Sequence, residues 1–182
     1  MEENEEENLF DIDKDIFKEK KKKVNSGNKG KRAERDLCKI LTDRFSKAFS
    51  RSIGSGNRGK QVSNLPKHAK ETFGGDICCP ENFKWVLESK NGYEDDIDLN
   101  TFDKGISKLD SFIEQTERDS QLTGRKSLLL WKRKRKNWLS FLKTENLPNP
   151  DIYTYRLVYR EWSCIALSEL LLLPDDFFFN DV

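Results

Sequence analysis

Histidine is almost missing from this 182-residue chain, and cysteine occurs in no metal-binding spacing. The single histidine is His68, and Cys38, Cys78, Cys79 and Cys164 include no C-x-x-C pair. A structural zinc site, which needs several nitrogen or sulfur ligands at short spacings, is not expected on that ground. Adjacent Cys78 and Cys79 would point to opposite faces of a strand and read as reduced, partly buried thiols. A Ser-His-Asp or Cys-His mechanism would rest on His68 alone, in the polar, loop-like stretch GNRGKQVSNLPKHAKE. No G-x-x-x-x-G-K-[ST] string occurs, which excludes phosphotransfer by a P-loop. Long apolar runs are lacking too. Leu128 to Trp131 and Leu170 to Leu173 are four residues each, against roughly 20 for a membrane-spanning helix. The opening MEENEEEN is the reverse of a basic-then-apolar signal peptide, so a cytoplasmic location and no membrane partner are expected. Whatever chemistry the chain performs must run on carboxylates and lysines.

Charge is what the chain has in quantity. Charged residues make up 36% against 35% hydrophobic, with a mean hydropathy of −0.82. This composition gives a small core under a polar surface, and the length suits one domain. The net charge of +1 conceals blocks. Between Glu2 and Glu19 nine acids face only Lys14 and Lys18. Lys20 to Lys23, Lys29, Lys31, Arg32 and Arg35 then reverse the sign, and from Arg44 to Lys70 every charged residue is basic. A later basic cluster comprises Arg125, Lys126 and Lys132 to Lys136, and after Arg160 only acids remain. A basic middle of this size is the footprint of a protein that meets a phosphate backbone. Arg32, Arg35, Arg58, Lys60, Lys132, Arg133 and Lys134 are its candidate DNA contacts.

Periodicity places these residues on elements. Residues 1–27 read as a charged flexible arm. Ala33, Leu37, Ile40, Leu41, Phe45 and Ala48 recur at helical spacing and predict a first helix over about Gly30 to Lys47. Ala48 to Ile53 reads as a strand, and the glycine-rich GSGNRG opens a long basic loop. Thr72 to Cys79 and Phe83 to Lys90 read as two strands joined by the turn Pro80-Glu81-Asn82, paired as an antiparallel hairpin. Phe102, Ile106, Leu109, Phe112 and Ile113 predict a second helix through about Asp119. Ser127 to Lys132 and Asn137 to Leu142 form a further hairpin. Ile152 to Tyr159 and Trp162 to Leu173 supply one or two strands and a short helix. The layout is α/β, with helices on a mixed sheet. The ordered core is expected over 28–146. A C-terminal extension over 147–182, with its Phe177-Phe178-Phe179 run, is expected to pack on the core or on a partner. The acidic tails are further candidates for docking a protein partner.

Within that layout Asp76 lies on the first arm of the hairpin, while Glu88 and Lys90, two apart, share one face of the second. Carboxylates on neighbouring strands suit a hard cation such as Mg²⁺, or Mn²⁺ in its place. A lysine beside them supplies positive charge where negative charge develops at a phosphate.

The series KGKRAERDL, RSIGSG, GGDI and WVLESK, followed by a helix and a β-hairpin, resembles the archaeal-type Holliday junction resolvases of the PD-(D/E)XK nuclease superfamily. The likeness runs over roughly Asn28 to Leu142. It implies a restriction-endonuclease-like mixed β-sheet flanked by helices, in one domain. It makes Asp76, Glu88 and Lys90 catalytic, adds Glu34 as a helix-one acid with a catalytic and metal-binding role beside Asp76 and Glu88, and assigns Ser55 and Arg51 to the DNA. Gly75 stands where many members have proline. The activity implied is metal-dependent cleavage of four-way or branched DNA by a homodimer, with the second helix and the late hairpin as candidate interfaces. Two other readings remain at this stage: a PD-(D/E)XK nuclease of restriction, repair or replication type, and a non-catalytic DNA-binding or docking module.

Overall fold

The computed structural model describes residues 26–52, 69, 74–93, 97 and 105–180. The charged arm, apart from Ser26 and Gly27, therefore lies outside the described residues, as does most of the basic loop after Ser52. The elements are α1 (Ser26–Phe45), β1 (Ser50–Arg51), β2 (Ile77–Cys78), β3 (Trp85–Asn91), α2 (Ser107–Thr123), β4 (Lys126–Lys132), β5 (Trp138–Lys143), β6 (Leu157–Tyr159), β7 (Trp162–Ala166), α3 (Leu167–Leu170) and α4 (Asp175–Phe178). Five strands form one mixed sheet in the order β3-β4-β5-β7-β6. β3 and β4 are parallel and the remaining pairs antiparallel. Helices flank this sheet, as expected for the restriction-endonuclease-like α/β class. Among the described residues no helix is long and apolar enough to cross a membrane.

The sheet is covered on both faces, and this explains the apolar run LLLW in β4. Leu128 and Leu130 face one core with Ala33, Leu37, Leu41 and Phe45 of α1. Leu129 and Trp131 face a second core with Leu109, Phe112 and Ile113 of α2. Strand alternation splits the run between the two layers, so a continuous apolar string is what a strand in this position requires. Trp138 and Leu142 follow the first face and Phe141 the second. Apolar side chains of α2 and of the β4–β5 hairpin are thus engaged within the chain. Large exposed apolar side chains among the described residues lie instead mainly at Ile152, Tyr155, Leu157 and Val158, leading into edge strand β6.

The expected hairpin of Thr72 to Cys79 with Phe83 to Lys90 is not formed as a ladder. β2 pairs antiparallel with β1, Ser50 against Cys78 and Arg51 against Ile77. Its link to β3 is made just before the strand, where the Asp76 amide donates to the Leu87 carbonyl at 2.8 Å. β3 takes β4 as its neighbour, in register from Trp85↔Lys126 to Asn91↔Lys132, with α2 as the crossover that parallel pairing demands. The last strands also come out shorter than the apolar pattern suggests. Ile152 sits in a 3₁₀ turn, and β6 begins only at Leu157.

After Pro174 the chain returns to the start of β3. The Lys84 amide donates to the Phe178 carbonyl at 2.7 Å, and Trp85 Nε1 donates to the Phe177 carbonyl at 3.2 Å. Phe178 and Phe179 are each 1% exposed, and they meet Phe45 and Phe83 at ring-centroid distances of 4.8 to 6.4 Å. Arg44 fastens the approach, bonding the carbonyls of Leu171 and Leu173 and pairing with Asp175 at 2.9 Å. Phe178→Ala should therefore lower stability by about 3–5 kcal/mol, the range for a large buried aromatic. Truncation after Leu173 should cost at least as much. Thermal melting checks both, and a truncated chain that melts like the intact protein would remove the tail from the core.

Candidate active site

The site is built where β3 is crossed by the segment before β2. Gly75 has φ +77°, and a β-carbon placed on it would lie 2.5 Å from the Leu87 carbonyl oxygen. Neither a side chain nor a proline, whose φ is locked near −65°, fits that crossing. Asp76 follows directly. Its amide bonds β3 at Leu87, and its Oδ2 accepts the Ser89 amide at 3.0 Å, so the carboxylate is fixed against the strand that carries Glu88 and Lys90.

Glu88 is 1% exposed. Its Oε1 accepts from Lys90 Nζ at 2.5 Å and from Gln115 Nε2 at 2.5 Å, while among the described residues Oε2 has no hydrogen-bond partner. Lys90 Nζ also donates to Gln115 Oε1 at 2.9 Å and lies 5.1 Å from the centre of the Phe112 ring. Glu34 projects from α1 toward the same region, where Arg51 Nε of β1 donates to its Oε2. Elements from both layers and from the β1–β2 ribbon thus meet at β3.

The electrostatics are those of crowded acids. Burial pushes the Glu88 carboxyl well above the usual carboxylate range, and the charge of Asp76 pushes the same way against Lys90. Asp76 is raised by burial too, with the Ser89 amide and Lys90 opposing. Asp119, one turn beyond Gln115 on α2, is raised by its own burial and by the charge of Asp76. Among the described residues Glu88 Oε2 is left as an orphaned buried acceptor, costly unless a cation or proton meets it. A divalent cation held by Asp76 and Glu88 fits this arrangement, because it would satisfy that oxygen and relieve the mutual repulsion. Among the described residues no three His, Cys, Asp or Glu side chains are grouped as a ready ligand set. Mg²⁺ commonly uses one or two carboxylates and retains water and phosphate for the remainder.

The basic residues named from sequence divide into three groups. Arg32 and Arg35 lie exposed on the first half of α1, and Arg35 bonds the Lys31 carbonyl at 3.1 Å. Lys132, Arg133 and Lys134 begin the β4–β5 turn, one strand over from Lys90 in a register where Asn91 faces Lys132. Asn91 Nδ2 also donates to the Lys29 carbonyl at 3.0 Å, joining the start of α1 to the same end of β3. Basic groups from helix and turn therefore flank the end of the strand that carries Lys90. Ser55, Arg58, Lys60 and His68 lie outside the described residues. Three of the thiols are buried, and burial pushes Cys38 up to about 11 and Cys164 up to about 12 and raises Cys79 as well.

Gln115 and Asp119 were not identified from sequence. The signal that could have found them is the helical stripe itself. Phe112 and Thr116 are buried on α2, and residues 115 and 119 continue that side of the helix in polar form.

Among solved structures the chain is similar to the 1.6 Å structure of Archaeoglobus fulgidus Hjc, a Holliday junction resolvase from an archaeal hyperthermophile, at 18% identity and a TM-score of 0.42, covering 78% of this chain and 99% of that one. Among curated proteins it is 31% identical over 127 residues to Protein D14 of Escherichia phage T5, a match covering 68% of this chain and 74% of that protein. A family model described as "Phage putative PDDEXK endonuclease" matches residues 25–163, a span that contains Glu34, Asp76, Glu88, Lys90, Gln115 and Asp119. That span is well over half of the chain, and with the acidic pair and lysine meeting on β3 it shows that this protein belongs to the phage PDDEXK endonuclease family.

Proposed function

We propose that the protein is a metal-dependent endodeoxyribonuclease that resolves four-way or otherwise branched DNA, acting as a homodimer. The observation that carries the hydrolytic part is the buried pair Asp76 and Glu88, with an orphaned Glu88 oxygen and the Lys90 ammonium beside it. Asp76 and Glu88 would hold Mg²⁺ or Mn²⁺, with Glu34 close by. Bound there, the cation would supply charge neutralisation at the phosphodiester and acidify the attacking water. Lys90 brings positive charge to the oxygen on which negative charge develops. Arg51 restrains Glu34, and Arg32, Arg35, Lys132, Arg133 and Lys134 hold phosphates on either side of the cut. Two opposed strands must be cut to resolve a junction, and a second copy related by two-fold symmetry supplies the second site.

The expected outcome for Asp76→Asn is loss of cleavage by on the order of 10²–10³-fold with DNA binding retained. Four-way junction, flap and linear duplex should be assayed side by side. Protein co-expressed with the wild-type chain should leave nicked junctions where two copies act as a unit. Wild-type cleavage by the variant overturns the site, equal rates on all three DNAs overturn the junction reading, and unaltered resolution by the mixture overturns the dimer.

A second expectation follows from the raised carboxyls. A carboxyl whose pKa is higher in the folded than in the unfolded state contributes stability at low pH, and that contribution is lost as pH rises through the folded value. Chelator-treated protein should therefore be penalised at neutral pH by Asp76 and Glu88. Mg²⁺, which binds the deprotonated pair, should raise the melting temperature most at pH 8 and progressively less toward pH 5. Glu88→Gln should relieve the penalty and abolish the Mg²⁺ response. A Mg²⁺ shift that ignores pH, or survives in that variant, would place the ion elsewhere.

The phosphate contacts predict a salt dependence. Each phosphate neutralised adds about 0.9 to the slope of log affinity against log salt on duplex DNA. Arg32→Gln combined with Lys134→Gln should flatten the measured slope by up to roughly 1.8 on that basis. An unchanged slope would put the DNA on another face.

A further inference from the structure

Resting on the nuclease reading above, we infer that Gln115 is a positioning residue for Lys90, and that it retains the ammonium at the site when a cation takes the Glu88 carboxylate. Among the described residues Lys90 Nζ has two hydrogen-bonding partners, Glu88 Oε1 and Gln115 Oε1. The first of these is an oxygen of a carboxylate proposed to ligate the cation. An ammonium and a divalent cation repel, so cation binding at Glu88 weakens the closer of the two bonds and pushes Lys90 off. The Gln115 carbonyl and the Phe112 ring remain, both on α2 and neither charged. A neutral acceptor suits this task, because it holds the ammonium without competing for the metal.

The amide has a second function in the same geometry. Its Nε2 donates to Glu88 Oε1 at 2.5 Å, so one side chain spans the carboxylate and the lysine and fixes their separation. Glu88 and Lys90 reside on β3, whereas Gln115 arrives from the crossover helix. The spacing of acid and lysine is thereby held from outside the strand on which both reside.

The test uses the full-length chain and compares Gln115→Ala, Gln115→Met and Gln115→Glu with wild type and Asp76→Asn. Methionine keeps the volume and removes both polar atoms, so it separates filling from hydrogen bonding. Gln115→Ala and Gln115→Met should each lower kcat by ~10–100-fold, the range for residues that orient ligating groups, with KM for DNA and the Mg²⁺-induced melting shift close to wild type. Gln115→Glu restores an acceptor for Lys90 and should recover part of the kcat lost in the other two. Wild-type kcat in Gln115→Met would reduce the side chain to packing and overturn the inference. A rise in KM at unchanged kcat would make Gln115 a DNA contact instead, and overturns it as well. Failure of the nuclease reading is read separately, from Asp76→Asn cleaving at the wild-type rate.

Discussion

Asp76 reaches Glu88 because Gly75 crosses the Leu87 carbonyl at a separation that no β-carbon tolerates. That close passage sets the depth of the aspartate, and two amide bonds then define its direction: its own to Leu87, and that of Ser89 to its carboxylate. A proline at position 75, as in many resolvases of the type the sequence resembles, would have to bring the acid in along another path, because φ +77° is closed to it. Glycine at position 75 is what lets the chain deliver this carboxylate along the path it takes.

Burial then determines the character of the site. β3 is covered by α1 and the returning tail on one side and neighboured by α2 on the other, so Glu88 is removed from water by its own scaffold. An acid so placed is an unfavourable burial, raised in pKa and short of one donor. A well-packed core with an unmatched acid at its edge is the pattern expected where local stability has been exchanged for function.

How much of this could be read in the chain depended on whether the signal was local. The apolar stripe of α1, the basic turn between β4 and β5, and the two-residue step from Glu88 to Lys90 are local, and the structure contains each of them. The partner of β3 was not legible, because two apolar runs joined by Pro80-Glu81-Asn82 look like a hairpin whether or not a ladder forms. What excludes it is the crossing at Gly75 and the two-layer burial of β4, both tertiary. Gln115 was missed for a related reason: a glutamine on an exposed-looking helix acquires meaning only when Lys90 of another element lies 2.9 Å away. The mean hydropathy suggested a small core, yet Phe178 and Phe179, in an acidic tail, complete it.

The return of that tail bears on the order in which the molecule is assembled during synthesis. Arg44 of α1 bonds the Leu171 carbonyl across 127 residues, and Phe45 awaits Phe178 and Phe179. While the ribosome is still translating the sheet, α1 presents an unsealed aromatic surface, and the first layer closes only after residue 179 has left the exit tunnel. Contacts of such long sequence separation form late. A nascent chain of this protein therefore carries its α1 face open until the phenylalanines arrive.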